Sequence, residues 1–400
     1  MSRWTDIRRE KEESLAPYAA KSIDTIGREK PEKPCEIRLD FERDANRILY
    51  SEDFRRLRHK TQVFFNAKND HICTRMEHVL YVNSISATIC RTLNLNQDLT
   101  SAIALGHDIG HAPFGHSGEK CISECAFSKG NGVFFEHERH GLRVVDRLSM
   151  RISKELISEK CGLNLTYEVR DGIVSHCGEK YSEYKIEPDK TKIEKDITTI
   201  NHKLTTPYTL EGCLVRLVDK IAYVGRDIED AMRAKLMDYN SVSPEIRKTL
   251  GKTNGDIINT LVTDVIENSY GNNYIALSDE KGRALEELIN TNVAMIYKSE
   301  PVLRYEKGVK NTIEGLFDSI YDATREIQNY CLKGEKMEYP DVLPAAAFKT
   351  AGLGHVQSLY SYIKEKNYSK NNYPEQITVD YIAGMTDAYA MKTYEDIYWI

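Results

Sequence analysis

Ala104-Leu105-Gly106-His107-Asp108-Ile109-Gly110-His111-Ala112-Pro113-Phe114-Gly115-His116-Ser117-Gly118-Glu119 holds three histidines, an aspartate and a glutamate within thirteen residues. These side chains bind divalent metals and move protons beside them. Six of the eleven histidines (78, 107, 111, 116, 137 and 140) lie between His78 and His140, where an even spread would place about two. A metal-centred site is the best reason for such a cluster in a chain of otherwise ordinary composition.

Working outward, the pattern is helical. Val79, Val82, Ile85, Ile89 and Leu93 recur at helical spacing. Asp98 is placed to cap a second helix carrying Leu99, Ala102, Ile103 and Leu105, with Gly110 and Pro113 as its stop. Ser117 is placed to cap a short helix through Ile122 and Cys125. Another helix starts near Glu136 and runs through Leu142, Val145 and Leu148. Residues 1–40, with Pro31 and Pro34, read as a short helix and an extended arm. The polar, Lys/Glu-rich stretch 180–205 reads as a loop or extension, and a long helix follows Pro207. Residues 240–400 continue as helix after helix, as in Ala284-Leu285-Glu286-Glu287-Leu288-Ile289. There is no run of alternating strand residues and no internal repeat, so the expected class is all-α, in one interlocked domain.

Bulk properties narrow the function. With 41% hydrophobic and 29% charged residues over 400 positions, the chain can bury a substantial core. Its net charge of −6 argues against nucleic acid as the main partner, since that affinity needs an excess of Lys and Arg. Nine cysteines, an odd number without a CxxC pair, argue against a disulfide scaffold and read as reduced thiols. The N-terminus lacks an apolar leader and no run approaches a membrane span, so a cytoplasmic protein with no membrane partner is expected. Neither a P-loop nor a GxGxxG fingerprint is present.

Several constellations carry chemistry. Adjacent residues on a helix point about 100° apart, so His107 and Asp108 reach one ion only near a helix end, which Gly110 supplies. The plainer reading makes His107 a C-terminal cation and Asp108 a cap. His111, His116 and Glu119 favour the site. On the helix after Pro207, with Asp219 at 0°, Tyr223 falls at about 40°, Asp227 at about 80° and Lys220 at about 100°. Leu214, Leu217, Val218, Ile221, Val224 and Ile228 occupy the opposite side. The polar stripe is either a solvated face or a carboxylate for a metal, an ammonium for phosphate and a phenol between them. Arg75 and His78 share one helical face, so the pair is either a surface charge beside a packed histidine or a phosphate grip beside a metal ligand. The basic run Phe54-Arg55-Arg56-Leu57-Arg58-His59-Lys60 reads as an amphipathic surface helix, an anionic-ligand wall or an oligomer contact.

These residues, in this order, resemble the deoxynucleoside triphosphate triphosphohydrolases of the HD superfamily, the dGTPase-like proteins. The matching segments are Arg43-Asp44, Ser51 to Phe64, Thr74-Arg75-Met76-Glu77-His78, His107 to Glu119, and Phe135-Glu136-His137. Thr209-Leu210-Glu211-Gly212, Val218 to Tyr223 and Asp380 to Asp387 complete the series. The resemblance implies an HD (HD/PDEase-like) helical fold: an arm at 1–40, a catalytic core at 41–240 and additional C-terminal helices at 241–400 packed on it. It implies one metal held by His78, His107, Asp108 and Asp219. His116 with Glu119 becomes the catalytic pair beside the α-phosphate, and His111 and His137 become phosphate-facing or proton-relay groups. Arg75, Lys220 and Tyr223 become phosphate and sugar contacts. Gln62 and Asp227 become deoxyribose contacts that reject a ribose 2′-hydroxyl.

The implied reaction is hydrolysis of a dNTP, dGTP among them, to deoxynucleoside and tripolyphosphate. Mn²⁺ or Mg²⁺ suits the mixed nitrogen and oxygen ligands, with Fe²⁺ also compatible. A homo-oligomer and an allosteric nucleotide are further partners the resemblance allows. Two other readings stand beside it: an HD phosphohydrolase of nucleoside monophosphates or alarmones, and a nucleotide-sensing or nucleic-acid-binding regulatory protein. The segments 185–204 and 240–375 match no motif.

Overall fold

A computed structural model describes residues 3–63, 73–150, 162–177, 181–198, 206–333, 336–341 and 353–399. Phe64, Cys161, and residues 180 and 199–205 of the polar segment lie outside the described residues. The chain opens with α1 (Arg3–Glu13), α2 (Asp40–Tyr50) and α3 (Glu52–Arg56), then α4 (Arg75–Thr92) and α5 (Gln97–Gly106). Then come α6 (Gly115–Ser128), α7 (His137–Arg143), α8 (Tyr167–Val174), α9 (Glu194–Thr198) and the 24-residue α10 (Leu210–Arg233). The C-terminal half holds α11 (Pro244–Leu250), α12 (Asn254–Ser269), α13 (Asp279–Asn292) and α14 (Glu300–Cys331). Last are α15 (Leu353–Lys366), α16 (Pro374–Ala383) and α17 (Asp387–Tyr398). Among the described residues, strands are confined to two antiparallel two-residue pairs. Lys185–Ile186 pairs with Ile275–Ala276, and Leu332–Lys333 with Lys336–Met337. The fold is all-α.

The centre is α10. Thr209 caps it by accepting from Gly212 N at 3.1 Å. Leu214, Val215, Leu217, Val218, Ile221, Val224 and Ile228 are all fully buried. Their burial contributes on the order of 10 kcal/mol before chain entropy is counted. Around α10 pack α4, α5 and α8 from the N-terminal half and α12 and α13 from the C-terminal half. A second layer places α14 against α6, α16 and α17. One apolar cluster runs through both layers, from Ala16 to Ala390.

Local chemistry corrects three sequence expectations. The cap of α5 is Asn96, not Asp98: its side chain accepts from Asp98 N and Leu99 N at 3.1 Å each. α6 begins at Gly115 rather than after Ser117. It is entered through a left-handed pair, Phe114 at φ 64° and Gly115 at φ 61°. Gly110 does not stop α5, which ends at Gly106. A Cβ at Gly110 would lie 2.1 Å from both Gly141 N and His137 O, so the missing side chain lets α7 press against the turn. That contact brings His137 to the His107–His111 turn.

Candidate metal centre and active site

Three segments converge on one point. α4 presents His78 from its first turn, the turn after α5 presents His107 and Asp108, and mid-α10 presents Asp219. His78 Nε2 lies 2.8 Å from Asp219 Oδ1 and 4.0 Å from Asp108 Oδ2. His107 Nε2 lies 3.7 Å from Asp108 Oδ1 and 3.8 Å from Asp219 Oδ1. The His107 Nδ1–H is taken by the carbonyl of Ala104 at 2.7 Å, which leaves Nε2 as the lone-pair nitrogen. That Nε2 is buried with no hydrogen-bond partner. Such an orphan costs about 1–3 kcal/mol unless something coordinates it.

The electrostatics suit a cation. Burial opposes the charge on Asp108, but Arg75, His111 and His107 hold its carboxyl well below the usual range. Burial likewise opposes the charge on Asp219, and the hydrogen bond and charge of His78 bring it down to about 2. Two ionised carboxylates and two imidazoles fit a borderline-to-hard divalent metal. Arg75, resembling a phosphate grip in sequence, braces this group: Nη1 is 2.8 Å from Asp108 Oδ2. Its Nη2 and Nε remain buried without hydrogen-bond partners.

Beside this group runs a ladder of imidazoles. His111 Nε2 lies 3.1 Å from Asp108 Oδ1, and its ring stacks on His137 at 3.8 Å with the planes 16° apart. Glu119 sits between His137 and His116. Its carboxylate is 3.0 and 3.1 Å from His137 Nδ1, accepts from His137 N at 2.8 Å and is 3.1 Å from His116 Nδ1. Burial opposes the Glu119 charge, yet His137 and His116 hold its carboxyl well below the usual range. His137 moves the other way against its burial, well above the usual imidazole value, because of Glu119 and Cys177. His111 moves the opposite way to His137, pushed down by burial, Arg75 and His137. Unlike the others, the His116 side chain is 76% exposed.

The stripe on α10 is not a solvated face: Lys220 is 1% and Asp227 2% exposed. Lys220 Nζ approaches the carbonyl of Glu183 at 3.5 Å. Asp227 accepts from the hydroxyl of Tyr297, which follows α13, and burial pushes its carboxyl up to about 7. Tyr223 is half-buried against the core beside them. Gln62 belongs to the segment facing α6. Its carbonyl lies 3.4 Å and Arg75 Nη2 3.5 Å from where a Gly115 Cβ would stand, and its side-chain Oε1 is buried and unpartnered. The basic run divides. Phe54 and Leu57 are buried, Arg55, Arg58 and His59 are exposed, and Lys60 is inside, donating to the carbonyls of His111 and Ala383.

Sequence reading missed three residues and gave a fourth no role. His176 lies beyond the histidine-rich stretch, its ring 5.1 Å from His107 and 5.3 Å from His137. Cys177 Sγ is 3.2 Å from His137 Nε2. Tyr297 is one of 24 tyrosines with no local mark. Asp387 was legible only as part of a motif. Its carboxylate accepts from Thr61 N at 2.9 Å, Thr61 Oγ1 at 2.5 Å and Phe114 N at 2.9 Å. It thereby ties the Gln62 segment to the turn that presents His116.

The HD domain model matches residues 75–224, and the Phosphohydrolase-associated domain model matches residues 355–396. The first covers every residue of the metal group and the ladder, and the second includes Asp387. A deoxyguanosinetriphosphate triphosphohydrolase-like protein of Caldanaerobacter subterraneus subsp. tengcongensis is 37% identical over 96% of this chain and 92% of its own length. Its namesake in Desulfatibacillum aliphaticivorans is 35% identical over 96% and 95%. That of Rickettsia felis is 32% identical over 96% and 98%. Full-length similarity of this kind, on an all-α frame that gathers His78, His107, Asp108 and Asp219, makes the chain a member of the HD superfamily of phosphohydrolases, among the dGTPase-like proteins.

Proposed function

We propose that the protein hydrolyses deoxynucleoside triphosphates, dGTP among them, to deoxynucleoside and tripolyphosphate. The observation that carries this reading is the unbroken path from Asp108 through His111, His137 and Glu119 to the exposed His116. It joins a metal-binding group to a solvent-facing, carboxylate-oriented imidazole. His78, His107, Asp108 and Asp219 would hold the divalent ion, Mn²⁺ or Mg²⁺ with Fe²⁺ also suited. Bound there, such an ion polarises a phosphoryl oxygen and lowers the pKa of water.

The chain's own groups do the rest. Water adds to the α-phosphorus, the bond from phosphorus to O5′ breaks, and O5′ leaves with a proton. Glu119 fixes the His116 ring through Nδ1, so Nε2 is the atom that moves this proton. Protonated His137, the open Nη2 of Arg75 and Lys220 offset the triphosphate charge. Asp227, Tyr297 and Gln62 form the sugar end, where Asp227 takes the 3′-hydroxyl and leaves no room for a 2′-hydroxyl. No disulfide joins the eight described cysteines, which supports a cytoplasmic setting. Among the described residues no helix is long and apolar enough to cross a membrane.

The test is incubation with dNTPs and NTPs, singly and in pairs, with products resolved by ion exchange. Intact tripolyphosphate from dNTPs supports the reading. Orthophosphate or pyrophosphate as the first product, or equal turnover of GTP and dGTP, overturns it.

A further inference from the structure

Two helices in this molecule end in a histidine held the same way. After α5, His107 gives its Nδ1–H to the carbonyl three residues back, Ala104, at 2.7 Å. After α8, His176 gives its Nδ1–H to Ile173, also three residues back, at 2.6 Å. In each case Nε2 is left as a buried lone pair with no hydrogen-bond partner. The Nε2 of His107 faces the carboxylates of the metal group. His176 instead belongs with His137 and Cys177, one donor atom from each lying within 4.8 Å of the others.

The surroundings are those of a built site. Metal-bound histidines are normally fixed through the second ring nitrogen by a carboxylate or carbonyl. His137 has Glu119 on Nδ1 at 3.0 Å, and His176 has the Ile173 carbonyl. With its Nδ1–H given to the Ile173 carbonyl, His176 keeps the buried Nε2 lone pair available. Cys177 Sγ already stands 3.2 Å from His137 Nε2. Donors at about 2.0–2.3 Å from a tetrahedral ion are separated by about this much.

We propose that His137, His176 and Cys177 form a second metal site, specific for a thiolate-seeking divalent ion such as Zn²⁺ and separate from the site of His78, His107, Asp108 and Asp219. The donor sets differ in kind. One sulfur and two nitrogens favour a softer ion, whereas two nitrogens and two carboxylates suit Mn²⁺ or Mg²⁺. Binding displaces the thiol proton of Cys177 and the Nε2 proton of His137, both released to solvent. Three protein donors leave the fourth position to water. On the function proposed above, an ion there occupies His137 and inhibits turnover, but the binding itself does not depend on that function.

The experiment is a Co²⁺ titration of the metal-stripped full chain, read by absorption. Beyond the first equivalent, a sulfur-to-cobalt charge-transfer band should grow in the near ultraviolet and be abolished by added Zn²⁺. Cys177→Ser should remove the band and keep the first equivalent. Asp219→Ala should lose the first equivalent and keep the band, and His176→Gln should weaken cobalt affinity at the thiolate. No band at saturating Co²⁺, or a band that survives Cys177→Ser, overturns the proposal. The band is read without nucleotide, so its presence or absence decides this site whatever the enzyme turns over.

Discussion

The metal group and the imidazole ladder meet at His111, yet they are built on opposite terms. Around His107, His78 and Asp108 are buried and Asp219 is largely so, both carboxylates are ionised, and Arg75 and His111 brace Asp108. The ladder starts equally buried at His111 and ends with His116 at 76% exposure. The difference follows from the task of each. Charges taken out of water must be opposed by charges of the other sign close by, or their desolvation destabilises the fold. A group that hands a proton to an incoming molecule must reach solvent, and one oriented nitrogen is enough to aim it.

The sharpest break in that contrast is Asp219→Ala. It removes the carboxylate nearest both His78 and His107 and should abolish bound metal by elemental analysis. Turnover should fall by on the order of 10³-fold, about 4 kcal/mol, if the ion supplies the expected share of the barrier lowering. Full metal occupancy in this variant would falsify the ligand assignment.

His116→Ala probes the other end. Here kcat should drop by a factor of about 10² or more while metal content and nucleotide binding persist. A change seen only in KM makes His116 a binding residue instead.

Asp387→Ala asks how far the contrast depends on the C-terminal helices. It leaves the amides of Thr61 and Phe114 without their acceptor, at about 1–3 kcal/mol for each that stays buried. The urea midpoint should fall, and KM should rise because Gln62 and the His116 turn are no longer tied together. An unchanged midpoint means water replaces the carboxylate without loss.

At the sugar end the effects are smaller. Asp227→Ala should narrow the preference for dNTP over NTP by roughly tenfold to a hundredfold, the weight of about 1–3 kcal/mol. Tyr297→Phe removes only the hydroxyl that donates to Asp227. It should narrow the same preference by roughly fivefold at most, about 1 kcal/mol. A Tyr297→Phe effect larger than that of Asp227→Ala would reverse their order of importance in the pocket.

Much of this site was visible along the chain. Spacing at 3.6 residues marked α4, α5 and α10, and the density of histidines marked the stretch where chemistry is concentrated. The wheel drawn on α10 put Asp219, Lys220, Tyr223 and Asp227 on one stripe but could not say what that stripe faces. Other positions were illegible for a physical reason. Asn96 outcompetes Asp98 as a cap because its oxygen reaches two amides. Gly110 reads as a helix stop, yet it is a contact point for a helix some thirty residues on. His176 and Tyr297 each stand alone in their segments, with no spacing to raise them above the background of their residue type.

What the sequence determined by itself is whatever depends on neighbours within about two helical turns: helix periodicity, the residue types of the metal and proton chemistry, and the family they mark. What only the tertiary structure decided is which of these groups touch. His78 meets Asp219 across 141 residues, Tyr297 meets Asp227 across 70, and Asp387 meets Thr61 across 326. Such contacts arise from packing whole helices about α10, where burial turns a polar stripe into a charged interior. No local pattern encodes that, because the energy that sets each contact is shared over the core rather than held by the residues that meet.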